Sequence, residues 1–157
     1  MVNLVNEMNA STTAAPPDTL AVANRLRPAL LKLSRELRRE SHSLGVTGGQ
    51  VTLLVAIKEA PGIGVAELAA RERISKPGMS KAVDRLERAG LVARTPSGAD
   101  RRRVGLRVSR DGERVLRSVK SKRTAWLAAR LRRLDPAQLE ALDAAVEPLV
   151  LLLGERA

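Results

Sequence analysis

The sequence predicts a mainly α-helical chain carrying one small β-hairpin, and three observations support that prediction. Leucines recur at helical spacing near both ends of the 157-residue chain. Two short helical segments separated by a tight turn lie in its middle. Just beyond them, Arg103 to Val108 alternates apolar and polar residues at the strand period.

The elements follow in order. Residues 1–19 are small and polar, with Pro16-Pro17, and read as a disordered tail. Leu26, Leu30, Leu33 and Leu37 form one stripe of an amphipathic helix that ends near Ser43, with Pro28 opening it or kinking it near its start. Thr47-Gly48-Gly49-Gln50 has the form of a capping box, and the apolar run after it, Val51 to Ala60, is a buried helix ended by Pro61-Gly62. A short helix from about Val65 to Arg73 turns Val65, Leu68 and Ala69 inward. Ile74-Ser75 makes the turn, with Ser75 capping a helix that buries Met79, Ala82, Val83 and Leu86 and stops at Gly90. Leu91 to Arg94 reads as a strand, Pro96 to Asp100 as a loop, and Arg103 to Val108 as the returning strand with Val104, Leu106 and Val108 on its buried face. Ser109 caps a long basic helix reaching about Leu131, whose Val115, Leu116, Val119, Trp126, Leu127 and Leu131 suit a dimer core. Asp135-Pro136 opens the last helix, striped by Leu139, Leu142, Val146, Leu149 and Leu153.

Composition narrows the chemistry. With one Trp, no Phe and no Tyr, the core must be aliphatic. The absence of cysteine excludes disulfides, thiolate metal sites and a thiol redox switch. His42 is the only histidine and reads as a plain helix-end residue, so no metal site or cofactor is expected. Carboxylates are the only remaining general-base candidates and no pair of them sits in a pocket-like setting, so an enzyme is not expected. The N-terminus lacks the basic region and apolar run of a signal peptide, and no stretch approaches a membrane span, which points to a cytoplasmic protein.

The formal charge of +11 is local. Between Arg94 and Arg133 stand fourteen Lys and Arg against Asp100, Asp111 and Glu113, whereas outside that stretch fourteen of each sign cancel. A concentrated basic block favours a polyanion partner; a solvated helix face is the alternative, and position within a motif decides between them.

That motif is a helix, a tight turn, a second helix and a hairpin with a basic tip, the order of a winged helix-turn-helix. Its second helix fits the major groove of double-stranded DNA. The candidate contacts on that helix are Ser75, Lys76, Pro77, Gly78, Ser80 and Lys81, with Arg85 one turn further on. For Arg85, a surface salt bridge involving the neighbouring Asp84 or Glu87 is the other reading. At the hairpin tip, Arg101, Arg102 and Arg103 suit a narrow, electronegative minor groove.

The segment from Val65 to Val115 resembles the DNA-binding lobe of MarR-family regulators. The resemblance rests on Glu67-Leu68-Ala69, on the DRLE-x-x-GLV pattern from Asp84 to Val92, and on the D-x-R of Asp100-Arg101-Arg102, and it extends over about Leu20 to Leu153. It implies that Arg102 enters the minor groove, that Asp100 holds the wing loop, and that the first and last two helices build a dimerisation domain. It divides the chain into a tail (1–19), an N-terminal dimerisation helix (20–45), a winged helix-turn-helix lobe (46–108) and C-terminal linking and dimerisation helices (109–157). Physical reasoning agrees, because two leucine-striped terminal helices cannot both bury their stripes on one small lobe. Leu26, Leu30, Leu33, Leu142, Val146, Leu149 and Leu153 are the candidate dimer contacts.

The expected function is a homodimeric regulator, a repressor, that reads pseudo-palindromic operators in the bacterial nucleoid. Release by a small-molecule effector of unknown identity is the family's habit, and Trp126 is either filler or a pocket wall. A non-specific architectural DNA protein is the alternative function. A basic helix lying on membrane lipid is the less favoured third, because the apolar positions of the Arg110 to Arg133 helix suit protein packing.

Overall fold

The computed structural model describes residues 18–97 and 100–154, with only the backbone path for residues 97 and 100–103. Among them the order is α1 (Thr19–His42), α2 (Gly48–Glu59), α3 (Val65–Arg71), α4 (Lys76–Arg88), β1 (Val92–Ser97), β2 (Asp100–Val108), α5 (Arg110–Leu131) and α6 (Pro136–Leu153). This is the mainly α fold with one hairpin that the sequence predicts. Most of the expected tail, residues 1–17, lies outside the described residues. The chain falls into two units, the first ending at Ser34 and the second beginning at Arg35.

The first unit holds the greater part of α1. Asp18 opens that helix by accepting bonds from the backbone N–H groups of Leu20 and Ala21, at 3.1 and 3.3 Å. Pro28 therefore lies well inside the helix instead of opening it, and costs the helix the bond to the carbonyl of Asn24. Leu20, Leu30, Leu31 and Leu33 are exposed and Leu26 is half-buried.

The second unit contains the core. Leu54 and Ile57 of α2, Leu68 of α3, Met79, Val83 and Leu86 of α4, and Leu106 of β2 have no exposed surface. Aliphatic side chains alone fill this space, each worth about 1.5–3 kcal/mol on burial. The capping box at α2 forms as expected: Thr47 Oγ1 accepts from Gln50 N at 3.2 Å, and Gln50 Oε1 accepts from Thr47 N at 2.8 Å. Between α3 and α4 the chain reverses through Arg73, at φ 54°, a left-handed conformation unusual for a residue with a side chain.

The hairpin differs from its expected extent. β1 runs on through Pro96 and β2 starts at Asp100, so the pairing reaches Ser97 opposite Asp100, with an irregularity at Pro96/Ser97. A proline fits there because β1 is paired to β2 along one edge only. Val104, expected on the buried face, is 53% exposed, because the hairpin has run past the end of the lobe at that point. Leu106 lies over the core as predicted. It also pairs with the α2–α3 connection, where Gly62 N donates to Leu106 O at 2.8 Å and Leu106 N to Ile63 O at 2.9 Å. A side chain at Gly105 would strike the backbone of Gly62.

Ser109 caps α5 through Gly112 N at 3.0 Å, and its own N–H donates to Leu91 O at 3.0 Å. Val119 is buried in the lobe core, with Val115 and Leu116 packed against it. These three were expected at a dimer core, and the structure gives them to the lobe instead. The far end of α5 holds the last turn of α1: Arg123 donates to Leu37 O at 3.1 Å and to the buried Ser41 Oγ at 2.8 Å. Burial, and secondarily the charge of Arg38, lower the pKa of Arg123 from its ordinary value. In α6, capped by Asp135 and Gln138, no residue is buried.

Two substitutions probe this framework in opposite directions. Gly→Ala inside a helix is ordinarily stabilising. At buried Gly112 the new methyl would meet the carbonyl oxygen of Leu91, which is backbone and cannot swing aside. Gly112→Ala is expected to cost about 2–3 kcal/mol and lower Tm by about 5–10 °C in a thermal melt. Arg73→Gly removes the strain of the left-handed turn and should raise stability by about 1 kcal/mol, read from the denaturant midpoint.

Candidate nucleic-acid interface

The turn between α3 and α4 controls what α4 presents. Ser75 caps α4, its Oγ accepting from Gly78 N at 3.3 Å, and Pro77 fits the first turn because no intrahelical partner is needed there. Met79, Val83 and Leu86 anchor one face of α4 in the core. The opposite face carries the candidates: Ser75, Lys76, Pro77, Lys81 and Arg85 are exposed or half-buried, as are Gly78 and Ser80. The structure thus brings all seven onto one short helix and its cap. A methyl at Gly78 would press on Ser75 Oγ and Ile74, so the missing side chain also serves the cap.

The charges near α4 are sorted in a way the sequence leaves open. Asp84 and Glu87 flank Arg85, yet neither pairs with it. Both bind Arg94 of β1, at 2.6 Å from Nη2 to Asp84 Oδ1 and 2.8 Å from Nε to Glu87 Oε2. The hydrogen bond with Glu87 leads the causes that raise the Arg94 pKa. Among the described residues, Lys76, Lys81 and Arg85 make no ion pair, which leaves three cations free on the exposed face of α4. The salt-bridge reading of Arg85 is therefore not the one the structure adopts.

Arg101, Arg102 and Arg103, with Asp100, lie on the backbone path of β2 next to the hairpin turn. Their side chains are outside the described residues. The apolar candidates are scattered along two helices. Leu30 and Leu33 of the first unit are 42% and 38% exposed, and Leu26 is half-buried. In α6, Leu142, Val146 and Leu153 are exposed and Leu149 is half-buried.

Sequence reading missed a groove between α2 and α5, of about 460 Å³. Val51, Val55, Leu116 and Val119 supply apolar lining, while Lys58, Arg117, Lys120 and Arg123 supply charge, and no carboxylate is among its described lining residues. Val55 shares an exposed face of α2 with Thr52 and Lys58, whereas the run from Val51 to Ala60 was expected to be buried. Trp126 is not among the lining residues; it is half-buried, with the Arg130 guanidinium stacked 3.5 Å from its ring centre. No helix of the described residues is long and apolar enough to cross a membrane.

A helix-turn-helix with a free cationic face, followed by a hairpin with a basic tip, defines a winged helix-turn-helix DNA-binding protein. Comparison with known proteins makes this specific. The family model described as MarR family matches residues 44–103. An HTH-type transcriptional regulator of Mycobacterium bovis is 31% identical over 85% of this chain and 94% of its own. The HTH-type transcriptional repressor MdtR of Bacillus subtilis is 30% identical over 66% of each. Among solved structures, a transcriptional regulator protein from Pseudomonas aeruginosa is 32% identical with a TM-score of 0.73, covering 90% of this chain and 100% of its own. A MarR family protein from Bacillus stearothermophilus is 26% identical with a TM-score of 0.72, over 90% and 100% of the two chains. The chain belongs to the MarR family of DNA-binding transcriptional regulators, and it is a regulator, not an enzyme.

Arg85 offers a direct check on the exposed face. Arg85→Ala removes an exposed cation that makes no ion pair or side-chain hydrogen bond among the described residues, so Tm should stay within about 2 °C. Affinity for duplex DNA should fall, and the slope of log K against log salt should drop by about one. Retention of the full salt slope would place Arg85 off the DNA.

Proposed function

We propose that the protein is a homodimeric repressor that binds pseudo-palindromic operators, docking α4 of each protomer in the major groove and the hairpin arginines in the flanking minor groove. One observation carries the dimer. α6 buries none of its own residues while exposing Leu139, Leu142, Val146, Val150 and Leu151 to Leu153. An apolar surface of that extent on a soluble protein marks an interaction site, and a second copy of the same helix is a self-complementary cover for it. The exposed leucines of the first unit are a further surface for the same partner. In this reading Arg102 is the minor-groove residue, Asp100 orients its loop, and Ser80 and Lys81 contribute to sequence preference. Two recognition helices one turn of DNA apart, about 34–36 Å, set the operator's half-site spacing. The repressor assignment draws on the name of MdtR, and the protein would act in the cytoplasm, on the chromosome.

The α2–α5 groove supports the effector reading. Its volume falls within the range of small-molecule pockets, and its apolar lining with a cationic rim suits an organic anion. Such a ligand releases DNA only if it binds more tightly to a state that docks poorly.

The test is fluorescence anisotropy on a duplex selected by the protein from a random library, with a shuffled duplex of equal composition as control. The expected result is a preference of about a thousandfold or more and two chains per duplex. Equal affinity for both duplexes would support an architectural DNA protein instead. Leu142→Arg with Val146→Arg should give a monomer by sedimentation and abolish the preference. Should that variant remain dimeric, α6 is not the interface.

A further inference from the structure

We propose that Arg94 is a positioning residue for DNA binding: through its two carboxylate partners it holds recognition helix α4 and the hairpin as one rigid unit. The inference rests on the reading that α4 and the hairpin both face DNA. α4 and β1 are joined by the short turn at Ala89 and Gly90, where Gly90 N donates to Glu87 O at 2.9 Å and Leu91 N to Leu86 O at 2.9 Å. Those bonds secure the turn, and the shared core of Leu86, Val92 and Leu106 joins helix to hairpin on the buried side. Arg94 adds a contact on the exposed side, two residues into β1. Its guanidinium spans one turn of α4, with Nη2 on Asp84 and Nε on Glu87. On a helix, residues three apart share a face, so one planar fork can grip both. Asp84 also presents its backbone carbonyl to Arg88 Nε at 3.3 Å, and Arg85 stays outside the cluster.

The arrangement fixes where the exposed side of α4 points relative to the arginines at the hairpin tip, because the strand that carries Arg94 pairs with the one that carries them. Arg94 would thus shape DNA binding without touching DNA. Partly exposed ion pairs contribute little to global stability, so the cluster is better placed to set geometry than to hold the fold.

The experiment compares the wild-type protein with Arg94→Gln, Arg94→Lys and Asp84→Asn/Glu87→Gln, and with all three neutralising changes combined. The probes are the duplex selected by the wild-type protein and its shuffled counterpart. The readout is the ratio of the two affinities, since a general change in charge scales both. Arg94→Gln should lower the ratio about tenfold with the salt slope unchanged and Tm within about 3 °C. Arg94→Lys keeps the charge but loses the fork, and should lower the ratio as well. The combined variant should be no worse than Arg94→Gln alone, because all the changes break one linkage. An unchanged ratio for Arg94→Gln would overturn the proposal, as would a salt slope reduced by about one, the mark of a direct phosphate contact. Lys81→Ala and Arg102→Ala serve as controls. If they weaken binding while Arg94→Gln does not alter the ratio, the positioning role alone fails. If they too leave binding intact, the interface assignment fails with it.

Discussion

The winged helix-turn-helix depends on the meeting of backbones around Leu91. The Leu91 N–H closes the end of α4 on Leu86 O, and its carbonyl receives the N–H of Ser109. Ser109 Oγ donates to Gly90 O, and Gly112 lies against the Leu91 carbonyl with no room for a side chain. Recognition helix, both hairpin strands and α5 thus meet at one buried point, and the core around it is wholly aliphatic. Aliphatic side chains can fill such a core, but they offer no large flat rings to bridge gaps. The chain compensates by bringing backbone close to backbone, at Gly105 on Gly62 and Gly112 on Leu91.

Once that junction is made, the charges on the surface are sorted by reach. The carboxylates of α4 are taken by Arg94 of the hairpin, while Lys76, Lys81 and Arg85 pair with none of the described carboxylates. Lys58 of α2 and Glu113 of α5 pair at 2.7 Å across the neighbouring helices. On α4, positive charge is therefore left free because the acids of the helix are drawn to Arg94. A net charge summed along the chain conceals this, because Asp84 and Glu87 lie beside Arg85 in sequence and bind Arg94 in space.

α5 serves two sides at once. Its first half belongs to the lobe core through Val119, and its second half grips the end of α1 through Arg123, whose partners are a backbone carbonyl and a serine hydroxyl instead of a carboxylate. The groove beside it borders both halves.

Much was legible in the sequence alone, for local reasons. The capping box at Thr47, the helix start at Asp135, the cap at Ser75, the left-handed Gly90 and the inward faces of α3 and α4 follow from rules that act within a few residues, and they determined the element order and the composition of the recognition helix. The family itself was legible from Glu67-Leu68-Ala69, the run from Asp84 to Val92, and Asp100-Arg101-Arg102. Only the tertiary structure decided that Val115, Leu116 and Val119 belong to the lobe, that Val104 is left outside it, that Ile63 pairs with Leu106, and that Arg94 takes both acids of α4. Each of these joins residues whose periodicity permits several partners, and the choice among them is made by which surfaces the close-packed core brings within reach.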